Sequence, residues 1–496
     1  MSLPPALPQT LPEAHELIQQ LRWHVAQLQK QLYGPSAEAG PAPEPLSKEQ
    51  ILLSLFPAPA EPAATAEVAV PEPPSATETE PTPRRRRHPA ARVLETLTQR
   101  LEPQEKICPH CQKPKCEIDC LVTERFEYVP AKIVRHEIHR PKLACPCGQG
   151  TVAIAPLPPT VVEKGYPGPG LVAQVILSKY ADHLPLYRQQ QQLERLGVNF
   201  TRQMLCHWVE KGAFLLQSLV VEMKAQLLQG DYLQVDETPV RVMDPEVKGK
   251  CATGYLWLAG RPQGDVIFEF HPGRGKEYAQ QLLGDFKGYL QRDGYGVYGA
   301  LAKERPQILS CGCWAHARRK FVEAWQMGDP QAEWPVLQIR RLYYMEKRAR
   351  DEALSAPQRW ALRQELAPPI LEELKAWMEQ LRPSLLPQSP LGKAISYALA
   401  EWEPLRGYLQ DGRIEIDNNL TENAIRPTCV GKKNYLFIGH PDAGWRSATI
   451  YSLIVSCRRH GVDPWAYIKD MMEKLPAAKS HEVAQMVPAR WKPASA

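Results

Sequence analysis

Apolar residues near the start of the chain recur in steps of three and four: Leu11, Ala14, Ile18, Leu21, Val25, Leu28 and Leu32. This a/d spacing puts one apolar seam on a helix and predicts a short coiled coil over 1–34. Thr10 and Glu13 have capping-box spacing at its start, and Gly34-Pro35 ends it. Helical periodicity returns over 160–228. There KYADHLPLYRQQQQLERLGVNFTRQMLCHWVEKGAFLL reads as a helix, a turn at Leu196-Gly197-Val198, and a second helix capped by Thr201. Those are helix-turn-helix proportions, with Arg188, Arg195, Arg202 and Lys211 available to phosphates. From 229 the period shortens to two. YLQVDETPVRVM, TGYLWLAG and DVIFEFH are strands, KEYAQQLLGDF is a helix, KGYLQRDGYGVYGAL carries a fourth strand, and RPQILSCGCWAHARRKF a fifth running into a basic helix. The order β-β-β-α-β-α-β predicts a ribonuclease H-like core over 229–450, with a mixed five-stranded sheet. A helical insertion at about 322–410 and a helical tail at 451–496, broken at His460-Gly461, complete the chain.

At 496 residues the chain exceeds one ordinary core and predicts a multidomain α/β protein. Many of its 49 prolines fall in 35–97, a stretch poor in aromatic residues that reads as an extended or disordered linker. Its run Arg84–Arg87 is a solvated patch with a possible phosphate-contacting role. The formal charge of +5, from 60 basic and 55 acidic residues, says little about a polyanionic partner by itself. No apolar run approaches the roughly eighteen residues of a membrane span. The start, MSLPPALPQT, lacks the basic and apolar regions of a secretion signal. The expected location is the cytoplasm, with no membrane partner.

Twelve cysteines in such a chain point to thiols and metal rather than disulfides. Cys108-Pro-His-Cys111 and Cys145-Pro-Cys147 are two candidate knuckles of one tetrahedral zinc site, within a β module at 98–156. Cys116, Cys120, His110 and His139 are substitute ligands, because Cys145 and Cys147 stand one residue closer than usual.

Phosphoryl transfer with two divalent ions needs hard oxygen ligands that converge from separate elements. Asp236, in LQVDET at the end of the first strand, and Asp293, in LQRDGYG at the end of the fourth, would face each other across neighbouring strands. A third carboxylate comes from IEIDNNLTENAIRP, which offers Glu415, Asp417 and Glu422. A helix start explains part of this stretch, since Asn419 and Glu422 have capping-box spacing and Glu422 could pair with Arg426. It does not explain why these acids gather ahead of Arg426, Lys432 and Lys433. Pro427 limits the helix there to a short piece or a kink.

The motifs VDET, RDGYGVY, CWAHARRKF, EIDNNLTENAIRP, GKKNYLFIG and SLIVSCRRHGVDPWAYI occur in this order and together resemble the transposases of the insertion sequence 66 family. The heptad helix ending in LYGPSAE, the cysteine module and KYADHLPLYRQ extend the resemblance over nearly the whole chain except the linker. Two positions depart from the family pattern: Asn423 where Arg is usual, and CPC in place of CxxC at Cys147. The resemblance implies an aspartate-aspartate-glutamate site of Asp236, Asp293 and Glu422. These would hold two Mg²⁺ (or Mn²⁺) ions, cleave the phosphodiester at the ends of an element and join the freed 3′-hydroxyl to target DNA. His316, Arg318, Arg319, Lys320, Arg426, Lys432 and Lys433 are the expected DNA contacts. Cys108, Cys111, Cys145 and Cys147 are the expected zinc ligands. Expected partners are double-stranded DNA (element ends and target), further copies of the chain through the N-terminal helix, and small companion proteins of the same element. The alternatives are a ribonuclease H-like structure-specific nuclease and a catalytically inactive DNA-binding repressor.

Overall fold

A computed structural model describes residues 132–143, 153–163 and 165–493, together with Gln112. The expected coiled coil, the linker with Arg84–Arg87, and the zinc ligands Cys108, Cys111, Cys145 and Cys147 lie outside the described residues. So do Cys116, Cys120 and His110; His139 is described and exposed. A pair of two-residue strands, Lys142–Leu143 and Ala153–Ile154, runs antiparallel just before the folded body.

Helices α1 (Pro169–Tyr180), α2 (Leu186–Arg195) and α3 (Arg202–Leu228) come first. The expected turn separates α2 from α3. Gly197 there has φ +88°, which suits glycine, and the Thr201 Oγ1 accepts from Met204 N–H at 3.3 Å to cap α3. Next come β1 (Tyr232–Val242), β2 (Ala252–Gly260), β3 (Val266–His271), α4 (Lys276–Leu283), β4 (Gly288–Gln291), α5 (Gly296–Glu304), β5 (Ile308–Cys311) and α6 (Trp314–Gln326). The strands form one mixed sheet in the order β3-β2-β1-β4-β5, antiparallel through β3-β2-β1 and parallel through β1-β4-β5. The protein is thus α/β with a five-stranded mixed sheet, and β1 and β4 are neighbours as expected.

Helices α7 (Glu333–Asp351), α8 (Ala356–Leu381), α9 (Pro390–Ala400) and α10 (Trp402–Arg406) make the helical stretch between β5 and the last part of the sheet layer. They bury their own core, in which Trp314, Phe321, Ile339, Leu374 and Tyr408 are nearly inaccessible. Then come α11 (Asn419–Tyr435), α12 (Gly444–Arg459), α13 (Pro464–Lys474) and α14 (Val483–Met486). A second core joins α1, α3, the sheet, α12 and α13 through residues such as Val172, Leu216, Trp257, Phe268, Tyr451 and Tyr467. One apolar interior therefore runs through the segments that the sequence divides into 160–228, 229–450 and 451–496. The expected break in the tail is present: α12 ends before Gly461, at φ +67°, and Asp463 caps α13.

Pro427 does not end its helix, so of the short piece or kink expected from the sequence the short piece does not form. α11 runs unbroken to Tyr435, and its buried face of Thr421, Ala424, Ile425 and Thr428 holds it against the sheet, where packing outweighs the lost hydrogen bond. At the opposite side of the sheet β3 is an edge strand. The N–H groups of Val266 and Phe268 donate to the hydroxyls of Ser456 (3.0 Å) and Ser452 (2.8 Å), one turn apart on α12. Among the described residues no helix is long and apolar enough to cross a membrane.

Candidate active site

The parallel register of β1 and β4 matches two copies of one short pattern. Tyr232-Leu233-Gln234-Val235-Asp236 lies beside Tyr289-Leu290-Gln291-Arg292-Asp293, with Tyr232 opposite Tyr289, Leu233 opposite Leu290 and Gln234 opposite Gln291. The ladder stops at the glutamines, so Asp236 and Asp293 emerge together just beyond its carboxyl edge. Asp236 is not at the end of its strand as expected, because β1 continues to Val242 paired with β2. It stands at the end of the pairing with β4, which is the boundary that matters for the site.

Two wholly buried amides fasten this edge. Gln234 Nε2 donates to Gln291 Oε1 at 2.7 Å, and Gln291 also accepts from the Tyr232 hydroxyl at 2.6 Å. The same amides reach the segment leading into α11. Gln291 Nε2 donates to the Glu415 carbonyl (2.7 Å), Gln234 Nε2 to the Asp417 carbonyl (3.2 Å), and Thr421 Oγ1 to Gln234 Oε1 (2.8 Å). Asn418, also buried, donates from Nδ2 to the Val235 carbonyl at 2.9 Å. A buried amide is stable only when its partners are present, so this network fixes the first turn of α11 against β1 at Gln234 and Val235.

That first turn carries Glu422. No capping box forms with Asn419, and the neighbours of Glu422 are His316 (Nδ1 to Oε1, 3.6 Å) and Arg319 (Nη2 to Oε2, 3.4 Å) rather than Arg426. Burial, together with the charges of Glu237, Asp293 and Glu422, pushes the Asp236 carboxyl up to about 8, although the Glu237 N–H donates to it at 2.8 Å. Asp293 accepts from Tyr295 N–H at 2.9 Å, and an added Cβ at Gly294 would lie 2.3 Å from the Tyr397 ring. Asp236, Asp293 and Glu422 are each half-buried, hence reachable from solvent.

The two other acids of the stretch have committed partners. Glu415 receives both terminal nitrogens of Arg359, at 3.0 and 2.7 Å. Asp417 accepts from the Tyr343 hydroxyl at 2.8 Å and from Asn419 Nδ2 at 2.8 Å. Glu422 Oε1, by contrast, is buried without any hydrogen-bond partner. The charges of Asp293 and Glu422 reach Asp236, but among the described residues the donor atoms that all lie within 4.8 Å of one another are those of Cys313, His316 and Glu422 rather than the three carboxylates.

The expected DNA contacts are scattered in role. Arg318, Arg426 and Lys433 are exposed, and Arg319 is exposed beside Glu422. Lys320 lies over the Tyr397 ring at 4.7 Å. Lys432 donates to Thr238 Oγ1 (2.9 Å) and the Pro239 carbonyl (2.7 Å), which ties α11 to β1. His316 faces Glu422 with its Nδ1 buried.

Sequence reasoning missed Glu237, next to Asp236. It is buried under Arg274 and the Tyr298 hydroxyl (2.7 Å), and its burial raises its own pKa despite those two partners. It also missed Gln234 and Gln291. The repeated YLQxD could have found them, since an amide in the middle of an apolar strand needs a specific partner.

The fold is thus a mixed α/β sheet that carries Asp236 and Asp293 at matched positions of adjacent parallel strands, with Glu422 in the first turn of α11. Comparison with known families gives the particular group. Residues 164–446 match the model described as Transposase IS66 family, 452–489 match the IS66 C-terminal element, and 105–148 match the zinc-finger binding domain of transposase IS66. The chain belongs to the IS66 transposase family. It is 30% identical to the uncharacterized protein y4jD of Sinorhizobium fredii, over 98% of this chain and 97% of that one. Uncharacterized protein y4qI of the same organism is 34% identical over 75% of this chain and 71% of its own length.

Proposed function

We propose that the chain is a DNA transposase whose Asp236, Asp293 and Glu422 hold divalent metal ions, Mg²⁺ or Mn²⁺, on a ribonuclease H-like core. The observation that carries this reading is the convergence at one sheet edge. Two aspartates stand in matched positions of adjacent parallel strands, and the charges of Asp293 and Glu422 both act on Asp236. When bound, such ions supply an activated water and a polarised phosphodiester. The residues of the chain do the rest. Asp236 and Asp293 are fixed by backbone N–H donors, so their oxygens need no rearrangement when a phosphate arrives. Glu422 enters from a helix held by Gln234 and Asn418 and closes the cluster from the side.

Exposed Arg318 and Arg319 on α6 and Arg426 and Lys433 on α11 fit contacts to the DNA backbone, which weaken with salt. Arg188, Arg195, Arg202 and Lys211, exposed on α2 and α3, fit a second set of phosphates at the element ends. The zinc-finger match over 105–148 covers Cys108, Cys111, Cys145 and Cys147, which we take as ligands of one structural zinc that contributes to recognition of the ends.

The test is strand cleavage and joining on DNA carrying the element ends, in Mg²⁺ and in Mn²⁺. Asp236→Ala, Asp293→Ala and Glu422→Ala are each expected to abolish both steps while DNA binding stays within a few-fold. Glu415→Gln and Asp417→Asn are expected to keep partial activity. Normal cleavage by Glu422→Gln beside a dead Glu415→Gln or Asp417→Asn would assign the third ligand elsewhere. Cleavage without any joining would favour a structure-specific nuclease.

A further inference from the structure

On the side of Glu422 away from Arg319, a sulfur, an imidazole and a carboxylate oxygen meet. Cys313, His316 and Glu422 each present one donor atom, and all three atoms lie within 4.8 Å of one another. Cys313 is the residue just before α6 and His316 follows it by one turn, so a single helix start delivers both. Glu422 arrives from the first turn of α11.

Three observations point beyond an ordinary ion pair. The His316 Nδ1 to Glu422 Oε1 distance of 3.6 Å is too long for a hydrogen bond, and both atoms are buried without any other partner. Two buried polar atoms that face each other at this separation are costly unless something lies between them. Ligand bonds of about 2.0 to 2.3 Å to a tetrahedral ion place neighbouring donor atoms about 3.3 to 3.8 Å apart, so the observed gap is that of a coordination edge. The sulfur of Cys313 is nearly inaccessible and accepts the Asn418 N–H at 3.3 Å, while burial pushes its thiol up to about 12, so a thiolate there calls for a cation beside it.

We propose that Cys313, His316 and Glu422 form a binding site for a zinc-class divalent ion. One thiolate, one imidazole and one carboxylate select a borderline-soft metal over Mg²⁺, which prefers oxygen alone. The three donors leave a fourth position open, as in zinc sites that bind water or a substrate oxygen. Asn418 holds the sulfur from one side and the Val235 carbonyl from the other, so the pocket is anchored to the same strand as Asp236. An ion here would draw on Glu422, which the carboxylate cluster also uses. That sharing rests on the proposed role of Glu422 in catalysis, whereas the binding itself does not.

The experiment uses the full chain with Cys108, Cys111, Cys145 and Cys147 replaced by serine, stripped of metal and titrated with Co²⁺. A thiolate-to-cobalt charge-transfer band that saturates at one site per chain is expected, since cobalt held by carboxylate oxygens alone gives no such band. Cys313→Ala should remove the band and His316→Ala should weaken binding at least tenfold. No thiolate band in the parent, or an unchanged band in Cys313→Ala, overturns the site. Should Cys313→Ala lose its helical circular dichroism, His316→Ala decides alone, because that side chain is partly exposed, and unchanged affinity there overturns the site. Asp236→Ala separates the two readings. It should keep the cobalt band and lose strand cleavage, whereas cleavage retained by Asp236→Ala would refute the carboxylate cluster and leave this site standing.

Discussion

Asp236 is the residue whose chemistry depends most on its surroundings. Its carboxyl sits at about 8 in the folded chain against an ordinary value of 3.8, so the folded state holds a proton that the unfolded state releases. Stability from this group is complete below about pH 4 and is lost as pH rises toward 8, by up to about 1.4 kcal/mol per pH unit for one proton. Urea midpoints measured from pH 5 to 8 should therefore fall in the metal-free protein and flatten in Asp236→Asn. Saturating Mg²⁺ should flatten them too, since a bound cation replaces the proton. Equal slopes in the wild type and Asp236→Asn would show that the acid cluster does not store this repulsion.

Among the elements, α8 does for the α11 entry what no local motif could. Arg363 is fully buried and donates to Glu346 at 2.7 and 2.9 Å and to the carbonyls of Tyr408, Asp411 and Ile414 at 2.7 to 2.9 Å. Arg359 links the same Glu346 to Glu415. Arg363→Ala leaves a buried Glu346 short of its main partner and takes one donor from each of three carbonyls, and is expected to cost about 3 to 5 kcal/mol in chemical denaturation. A loss below about 1 kcal/mol would mean that water takes over the role of the guanidinium. The helical insertion thus acts as a clamp on 408–415, and through it on Glu422. Here sequence and structure part company. The five strands and their order along the chain were legible, because short runs such as YLQVDETPVRV and TGYLWLAG are rich in apolar and aromatic residues, most of which the sheet buries. Asp236 and Asp293 were legible through the strand order. The roles of Arg363, Gln234 and Asn418 were not, because each partner lies tens to nearly two hundred residues away, and periodicity carries no such information. Pro427 misled for the same reason: its local preference is overruled by packing that only the fold supplies.

At the scale of the molecule, the sequence expectation of a helical seam from Leu11 to Leu32, which lies outside the described residues, makes a prediction about assembly: a second copy of the same helix is the partner surface proposed for it. Removing residues 1–40 should lower the oligomeric mass in light scattering while leaving the thermal transition of the remaining chain within a few degrees. An unchanged mass would place self-association elsewhere. The sheet cannot serve that purpose at β3. A strand that borders solvent offers alternate amide protons to any extended chain that passes, and crowded nascent chains use such borders to stack into fibrils. Ser452 and Ser456 hold two of those protons, on Phe268 and Val266, at one-turn spacing on a helix that also belongs to the core. Along β3, then, two hydroxyl groups act as a stopper against one-dimensional growth of the sheet on that side.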